Sequence, residues 1–249
     1  MLNKLLTVSL FIFTLWGSQT ASNKVSRVVI QIPGKDNIQI KADYYKVENT
    51  RKPLILLFHQ AGYSRGEYRE IAPKLNALGF SCLAIDQRSG NKANGIVNET
   101  AKQAKQLGLA TDYVSALPDL ESTVDYVLKN HLSQKIILLG SSYSSSLIFV
   151  LGSEYPENTV GLIAFSPGEY FTVNGKKIAD YASQIQCPVF ITSAKHEQSD
   201  WKGIYKSIHS KKYFYLPKNK GIHGAKALWN AYEYSDQYWA KLKEFLDKY

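Results

Sequence analysis

Cysteine is nearly absent from this chain: Cys82 and Cys187 are the only two in 249 residues. That excludes a disulfide-stapled scaffold and a thiolate zinc cluster. Each Cys falls in or beside an apolar, strand-like run, where a thiol packs as a small apolar side chain. The two runs belong to separate parts of a sheet, so no bridge between them is expected. Internal repeats and low-complexity segments are also missing, as are a nucleotide-binding loop and a cluster of metal-ligating residues. No cofactor is therefore implied.

No apolar run is long enough to cross a bilayer as a helix. The run Leu5–Trp16 is about a dozen residues long. It follows a single positive charge at Lys4 and gives way to small and polar residues from Gly17 to Ala21. This order predicts a secretory signal peptide over residues 1–21, and hence a secreted or periplasmic mature chain. No cysteine follows the run, which excludes a lipid anchor at this site, and no stable membrane anchor is expected.

The formal net charge is +9, yet the lysines are scattered, with the densest group at Lys211, Lys212, Lys218 and Lys220. No aromatic-interleaved basic stripe or nucleic-acid motif accompanies them. A solvated basic surface is expected, not a nucleic-acid partner.

What the chain does contain is a strand–helix alternation on a globular composition, 45% apolar and 20% charged. Residues 24–32 and 37–45 alternate around a Pro33–Asn37 turn and read as a β-hairpin. The continuous apolar runs at 53–58, 80–85, 136–139, 160–165 and 188–192 read as strands covered on both faces. Helical spacing separates them, and a closing helix is predicted over Ala225–Tyr249. The segment 91–117 reads as a helical excursion or a long loop, and 170–186 as irregular. These elements predict one α/β domain over residues 22–249, a mainly parallel sheet flanked by helices with an antiparallel hairpin at one edge. Ligands of such sheets bind beyond the carboxyl ends of the strands.

The central run Ile136–Leu139 stops abruptly in Gly140-Ser141-Ser142-Tyr143-Ser144, and an apolar helical pattern follows at once. Strand, sharp turn with a serine at its tip, and helix make a nucleophile elbow. The tip is strained, so residues two positions either side must be small, and Gly140 and Ser144 meet that need. Ser142 is the candidate nucleophile. A serine-rich helix start satisfies the same string by capping alone, so the reading depends on partners elsewhere.

A serine hydroxyl needs a base, and the base needs a carboxylate to fix its tautomer. In this topology the chain order is Ser, acid, His. Lys212–Leu216 alternates and reads as the last strand, and His223, in Gly221-Ile222-His223-Gly224, is the one histidine after it. Glu197, in the loop after the 188–192 strand, lies nearest the expected acid position. Asp200 is its rival, with an alternative role as cap of a helix starting at Trp201, and Glu169 is a third option. His196 is expected to pack beside the site. Two backbone donors are needed for an oxyanion: Tyr143 N–H supplies one and Ala61 N–H the other, with Gln60 N–H as alternate. Gly62 allows the chain to turn there.

Together Phe58-His59-Gln60-Ala61-Gly62, Asp86-Gln87-Arg88-Ser89-Gly90, the Gly140–Ser144 turn and Gly221–Gly224 resemble an α/β-hydrolase, close to the dienelactone-hydrolase-like and esterase branch. The resemblance spans roughly residues 37 to 245. It implies an eight-stranded sheet, a Ser142–His223–acid triad and acyl-ester chemistry, with Asp86 and Arg88 bracing the turn after their strand. Gln60, Ser144 and His196 depart from the family's usual Gly, Gly and Asp. The expected function is an exported serine hydrolase acting on a small-molecule carboxylic ester or thioester. The alternatives are a small-peptide or amide hydrolase with the same triad, and a non-catalytic binding protein on the same scaffold.

Overall fold

The computed structural model describes residues 26–249; the expected signal peptide lies outside them. Eight strands form one sheet in the order β1-β2-β4-β3-β7-β8-β9-β10. They are β1 (Ser26–Pro33), β2 (Gln39–Lys46), β3 (Leu54–Phe58), β4 (Cys82–Ile85), β7 (Ile136–Ser141), β8 (Thr159–Phe165), β9 (Val189–Thr192) and β10 (Lys212–Tyr215). A separate two-residue pair, β5 (Lys92–Ala93) and β6 (Ile96–Val97), forms a small hairpin. The edge hairpin β1–β2 is antiparallel, as is the β2–β4 pairing, and every other pairing in the large sheet is parallel. This is the α/β-hydrolase architecture.

The continuous apolar strands have both faces covered, as their composition demands. Along β3, Leu56 and Phe58 point into a core shared with helices α3 (Leu117–Lys129), α4 (Tyr143–Glu154), α5 (Ile178–Ala182) and α6 (Gln198–Ser207). Ile55 and Leu57 point the other way, into a core shared with α1 (Ile71–Ala77) and α7 (Ser235–Leu246). The central β7 divides its side chains likewise: Leu138 joins the first core, Ile137 and Leu139 the second. Cys82 and Cys187 are both free. Three strands separate β4 from β9, a gap of nearly 20 Å at normal strand spacing that no disulfide spans.

Several elements differ from the sequence expectation. Segment 91–117 does make the helical excursion, α2 (Glu99–Gln106), capped by Asn98, whose side chain accepts the Ala101 N–H, but the β5–β6 hairpin before it lies outside the expectation. Segment 170–186 is not wholly irregular, since it contains α5. The closing helix is two pieces, a 3-10 turn at Ala225–Leu228 and α7 from Ser235. Trp229 takes an extended conformation between them and donates its indole N–H to Glu67 O at 2.8 Å. The break falls where Trp229, Asn230, Tyr232 and Tyr234 are only moderate helix formers, and the Trp229 bond holds it. Helix α6 begins at Gln198, so Asp200 sits inside its first turn and is not its cap.

Candidate active site

The carboxyl ends of β3, β4, β7, β8 and β9 converge on Ser142. The chain leaves β7 there with φ 58° and ψ −126° before entering α4, a backbone state that costs a non-glycine residue on the order of 1–3 kcal/mol. Neighbouring bonds hold it: Ser142 N donates to Phe165 O and Ser145 N to Ser142 O, each at 2.8 Å. A Cβ at Gly140 would lie 2.6 Å from the Ser144 and Ser145 backbone, so the turn closes only over a glycine.

The serine-rich run is a set of separate bonds. Ser144, which stands where a second glycine is usual, donates to His59 O and accepts from Gln87 Nε2 at 2.7 Å. Ser145 caps the turn by donating to Ser142 O. Ser146 donates to Gly168 O at 2.7 Å and accepts the Gly168 N–H at 3.0 Å. Ser141 donates to Glu67 Oε1 and accepts the Ala225 N–H, both at 2.8 Å. All four are buried, and only Ser142 is partly open to solvent.

His223 Nε2 lies 2.9 Å from Ser142 Oγ, and His223 Nδ1 lies 2.6 Å from Glu197 Oε1. A carboxylate at Nδ1 fixes the proton there and leaves the Nε2 lone pair facing the serine hydroxyl. Burial pushes the Glu197 carboxyl up. The bonds from His223 and Ser166, the charge of His223 and the Ala194 N–H outweigh it and hold the group below the usual carboxylate range. Glu197 Oε2 accepts Ser166 O–H at 2.6 Å and Ala194 N–H at 3.0 Å. Ser166 also accepts the Gly224 N–H at 2.9 Å. Gly224 itself has φ 74°, and a Cβ there would meet Gln60 Oε1 at 2.5 Å.

The other acids are engaged elsewhere. Glu169 accepts the Ile178 and Ala179 N–H groups at 2.7 and 2.9 Å, capping α5. Asp200 is exposed in the first turn of α6, and His196 is exposed on the 3-10 turn before it.

Gln60 N–H, the alternate oxyanion donor, is committed to Glu67 Oε2 at 2.8 Å. Among the described residues, the Ala61 and Tyr143 N–H groups have no hydrogen-bond partner. The Ala61 loop is held by His59, whose Nδ1–H donates to Gln60 O at 2.8 Å while its Nε2 accepts the Gln87 N–H at 2.9 Å. These partners specify a neutral imidazole, and burial lowers its pKa to about 4.

Asp86 and Arg88 each brace the turn after β4, but with different partners. Asp86 accepts Arg65 N–H at 2.8 Å and pairs with Arg65 Nη1 at 2.6 Å. Arg88 forks onto Asp119 at the start of α3, with Nη2 to Oδ1 at 2.8 Å. Beside the Ser142 turn, Tyr113 stacks on Tyr143 at 4.8 Å and meets Phe171 edge-on at 6.3 Å. Tyr170 donates to Ser166 O at 2.8 Å. Segments 91–117 and 170–186 thus both reach the site with aromatic side chains.

Sequence reasoning missed Ser166 and Glu67. The first follows a strand end like many loop serines. The second lies in Ser64-Arg65-Gly66-Glu67, which reads as an acid at a solvated helix start. Among the described residues no group of His, Cys, Asp and Glu could hold a metal ion.

Residues 49–212 match the model of the serine aminopeptidase S33 family. Mouse monoglyceride lipase is 27% identical over 124 residues, 50% of this chain and 38% of that protein. A monoacylglycerol lipase of Mycolicibacterium smegmatis is 22% identical over 134 residues, 54% of this chain and 44% of its own length. The match thus spans less than half of either relative. Among solved structures, a dienelactone hydrolase from Anabaena variabilis superimposes with a TM-score of 0.69 at 14% identity, covering 88% of this chain and 95% of the other. An esterase of Pyrococcus furiosus gives 0.69 at 16% identity over 90% and 93%. With the family match covering most of its length, the chain belongs to the serine aminopeptidase S33 family of α/β-hydrolases.

Proposed function

We propose that the protein is a serine hydrolase that cleaves carboxylic esters through an acyl-enzyme. The observation that carries this is the unbroken contact from Glu197 through His223 to Ser142, at 2.6 and 2.9 Å, beside two uncommitted N–H groups. Ser142 Oγ attacks the acyl carbon as His223 Nε2 takes its proton, and Glu197 stabilises the imidazolium that forms. The carbonyl oxygen becomes an anion held by the Ala61 and Tyr143 N–H groups. The imidazolium then protonates the departing alcohol. Water repeats the sequence on the acyl-serine and frees the acid. Thioesters follow the same course.

Ester preference is supported by relatives named as monoglyceride lipases and by a fold shared with an esterase. The aromatic side chains of Tyr113, Tyr170 and Phe171 beside the site suit an apolar acyl or alkoxy group. A second reading, hydrolysis of an amide or small peptide, is favoured by the family's description as a serine aminopeptidase. The sequence run Leu5–Trp16 supports export of the mature enzyme.

The deciding experiment is fluorophosphonate labelling of the purified protein, followed by p-nitrophenyl esters and aminoacyl p-nitroanilides. Stoichiometric labelling that Ser142→Ala abolishes, with ester turnover well above anilide turnover, is expected. Anilides as the better substrates would move the activity to the second reading. No labelling and no turnover would leave a binding protein.

A further inference from the structure

Under the site lies a carboxylate that the proposed chemistry does not use. Glu67 sits in the 3-10 turn Arg65–Tyr68 and is wholly buried. It takes part in no ion pair within 4 Å among the described residues. An unpaired carboxylate in a dry interior is costly unless its oxygens are well hydrogen-bonded. An apolar residue or Gln would spare that cost, so the position is not explained by packing.

Its two oxygens face two different parts of the site. Oε2 accepts the Gln60 N–H and Oε1 accepts the Ser141 O–H, each at 2.8 Å. Ser141 Oγ in turn accepts the Ala225 N–H at 2.8 Å. Gln60 directly precedes Ala61, Ser141 directly precedes Ser142, and Ala225 lies two residues after His223. One side chain therefore reaches, directly or through one hydroxyl, the backbone beside the oxyanion loop, the nucleophile and the base. The turn carrying it is pinned by Trp229 Nε1, which donates to Glu67 O.

We propose that Glu67 is a positioning residue that keeps the Ala61 loop and the His223 loop in register with the Ser142 turn. The proposal rests on the serine-hydrolase reading above. Two effects combine. The carboxylate consumes the Gln60 N–H, so the next N–H along, Ala61, is the one left for the oxyanion. Once ionised, as pH rises past about 7, it also orients that peptide plane through a charge-assisted bond, stronger than a neutral one. A glutamine cannot copy both contacts. Its single carbonyl oxygen satisfies either Gln60 or Ser141, and its NH₂ then faces either the Gln60 N–H or the Ser141 hydroxyl, whose own proton loses its acceptor.

The test compares wild type, Glu67→Gln, Ser141→Ala and the double variant. Three things are measured: ester kinetics, affinity for an aryl trifluoromethyl ketone, and fluorophosphonate labelling. The ketone forms a hemiketal anion on Ser142 and so depends on the oxyanion donors, which a substrate KM does not. Losing one oxyanion donor costs about 10²–10³ in kcat, and a misaimed donor less. Glu67→Gln should therefore lose roughly 10- to 100-fold in kcat with KM within about threefold, and ketone affinity should fall in proportion to kcat/KM. Ser141→Ala should lose less than about tenfold with the same proportionality. The double variant should be little worse than Glu67→Gln, because both lie on one path.

Glu67→Gln that melts cooperatively and keeps kcat and ketone affinity within about twofold overturns the proposal. So does a loss of activity with ketone affinity unchanged. Should Glu67→Gln fail to fold, Ser141→Ala decides by the same ketone criterion. A wild type inert to both ester and fluorophosphonate would instead fell the hydrolase reading, and this proposal with it.

Discussion

Ser166 Oγ stands 2.6 Å from Glu197 Oε2, and the same oxygen accepts the Gly224 N–H at 2.9 Å. One hydroxyl thus joins the acid to the backbone beside His223. Ser166 is fully buried and itself has a positive φ of 57°. The strand end of β8 is bent to deliver it.

Ser166→Ala removes a donor from the carboxylate and leaves a buried N–H without a partner. Each lost contact of this kind costs about 1–3 kcal/mol. We expect a drop of a few degrees in Tm and roughly tenfold in kcat, measured by thermal melting and ester kinetics. Glu197 loses one of the bonds that hold its pKa down, so the acid limb of the kcat/KM profile should move to higher pH. An unchanged profile would mean that Ser166 serves folding alone.

If Glu197 orients His223, Glu197→Gln keeps the shape but presents a neutral amide. The imidazolium loses its charge partner, and the tautomer can reverse. The comparable change in a serine protease lowers kcat about 10⁴-fold, and a loss of at least about 10² is expected here. Asp200→Asn should keep wild-type activity and alter stability by only a few tenths of a kcal/mol through the helix dipole. Glu169→Gln weakens the start of α5, so it should cost up to about 1 kcal/mol of stability with kcat unchanged. Kinetics on the three folded variants check this. An inactive Glu169→Gln beside an active Glu197→Gln would reverse the assignment.

These residues differ in how far the sequence exposes them. Ser142 and His223 were legible because a strand–turn–helix pattern and chain order single them out, and Glu197 by its distance from a strand end. Nothing local marks Glu67 or Ser166. Their roles come from bonds across 74 and 31 residues, which no periodicity records. Ser144 departs from the usual glycine of the elbow, and its bonds to His59 O and Gln87 give the departure a structural use. The break before α7 was hidden for a like reason, since Trp229 leaves the helical path for Glu67, 162 residues away in sequence. The five central strands β3, β4, β7, β8 and β9, by contrast, are readable to within about two residues at their ends, because burial on both faces forces unbroken apolar runs.

Export is proposed on the Leu5–Trp16 run. Mass spectrometry of the protein from its native host should find a new N-terminus near residue 22. Mature protein that retains Met1 would sink the idea.

The buried pair His59 and Glu67 gives the clearest pH signature. Burial lowers His59 from 6.5 to about 4. The unfolded chain therefore binds a proton that the folded state refuses, and stability is lost as pH falls through that window. For Glu67, burial is the main cause of a rise from 4.5 to about 7. Bonds from Gln60 and Ser141 and the charges of Lys226 and His223 act against it. Here the folded state keeps a proton that the unfolded chain releases, so the stability present below pH 4.5 is lost as pH rises towards 7. Each shift corresponds to about 3 kcal/mol. Between roughly pH 4.5 and 6.5 the two slopes have opposite sign and offset each other in the wild type. Glu67→Gln removes one of them, while the remaining titrating groups are common to both proteins. Relative to wild type, the variant should gain on the order of 2–3 kcal/mol between pH 5 and pH 8, or several degrees in Tm for a chain of this size. It should also lose stability more steeply than wild type on acidification. Thermal melts of both proteins from pH 4.5 to 8 measure the difference directly. Curves that stay parallel would show that Glu67 holds one protonation state throughout.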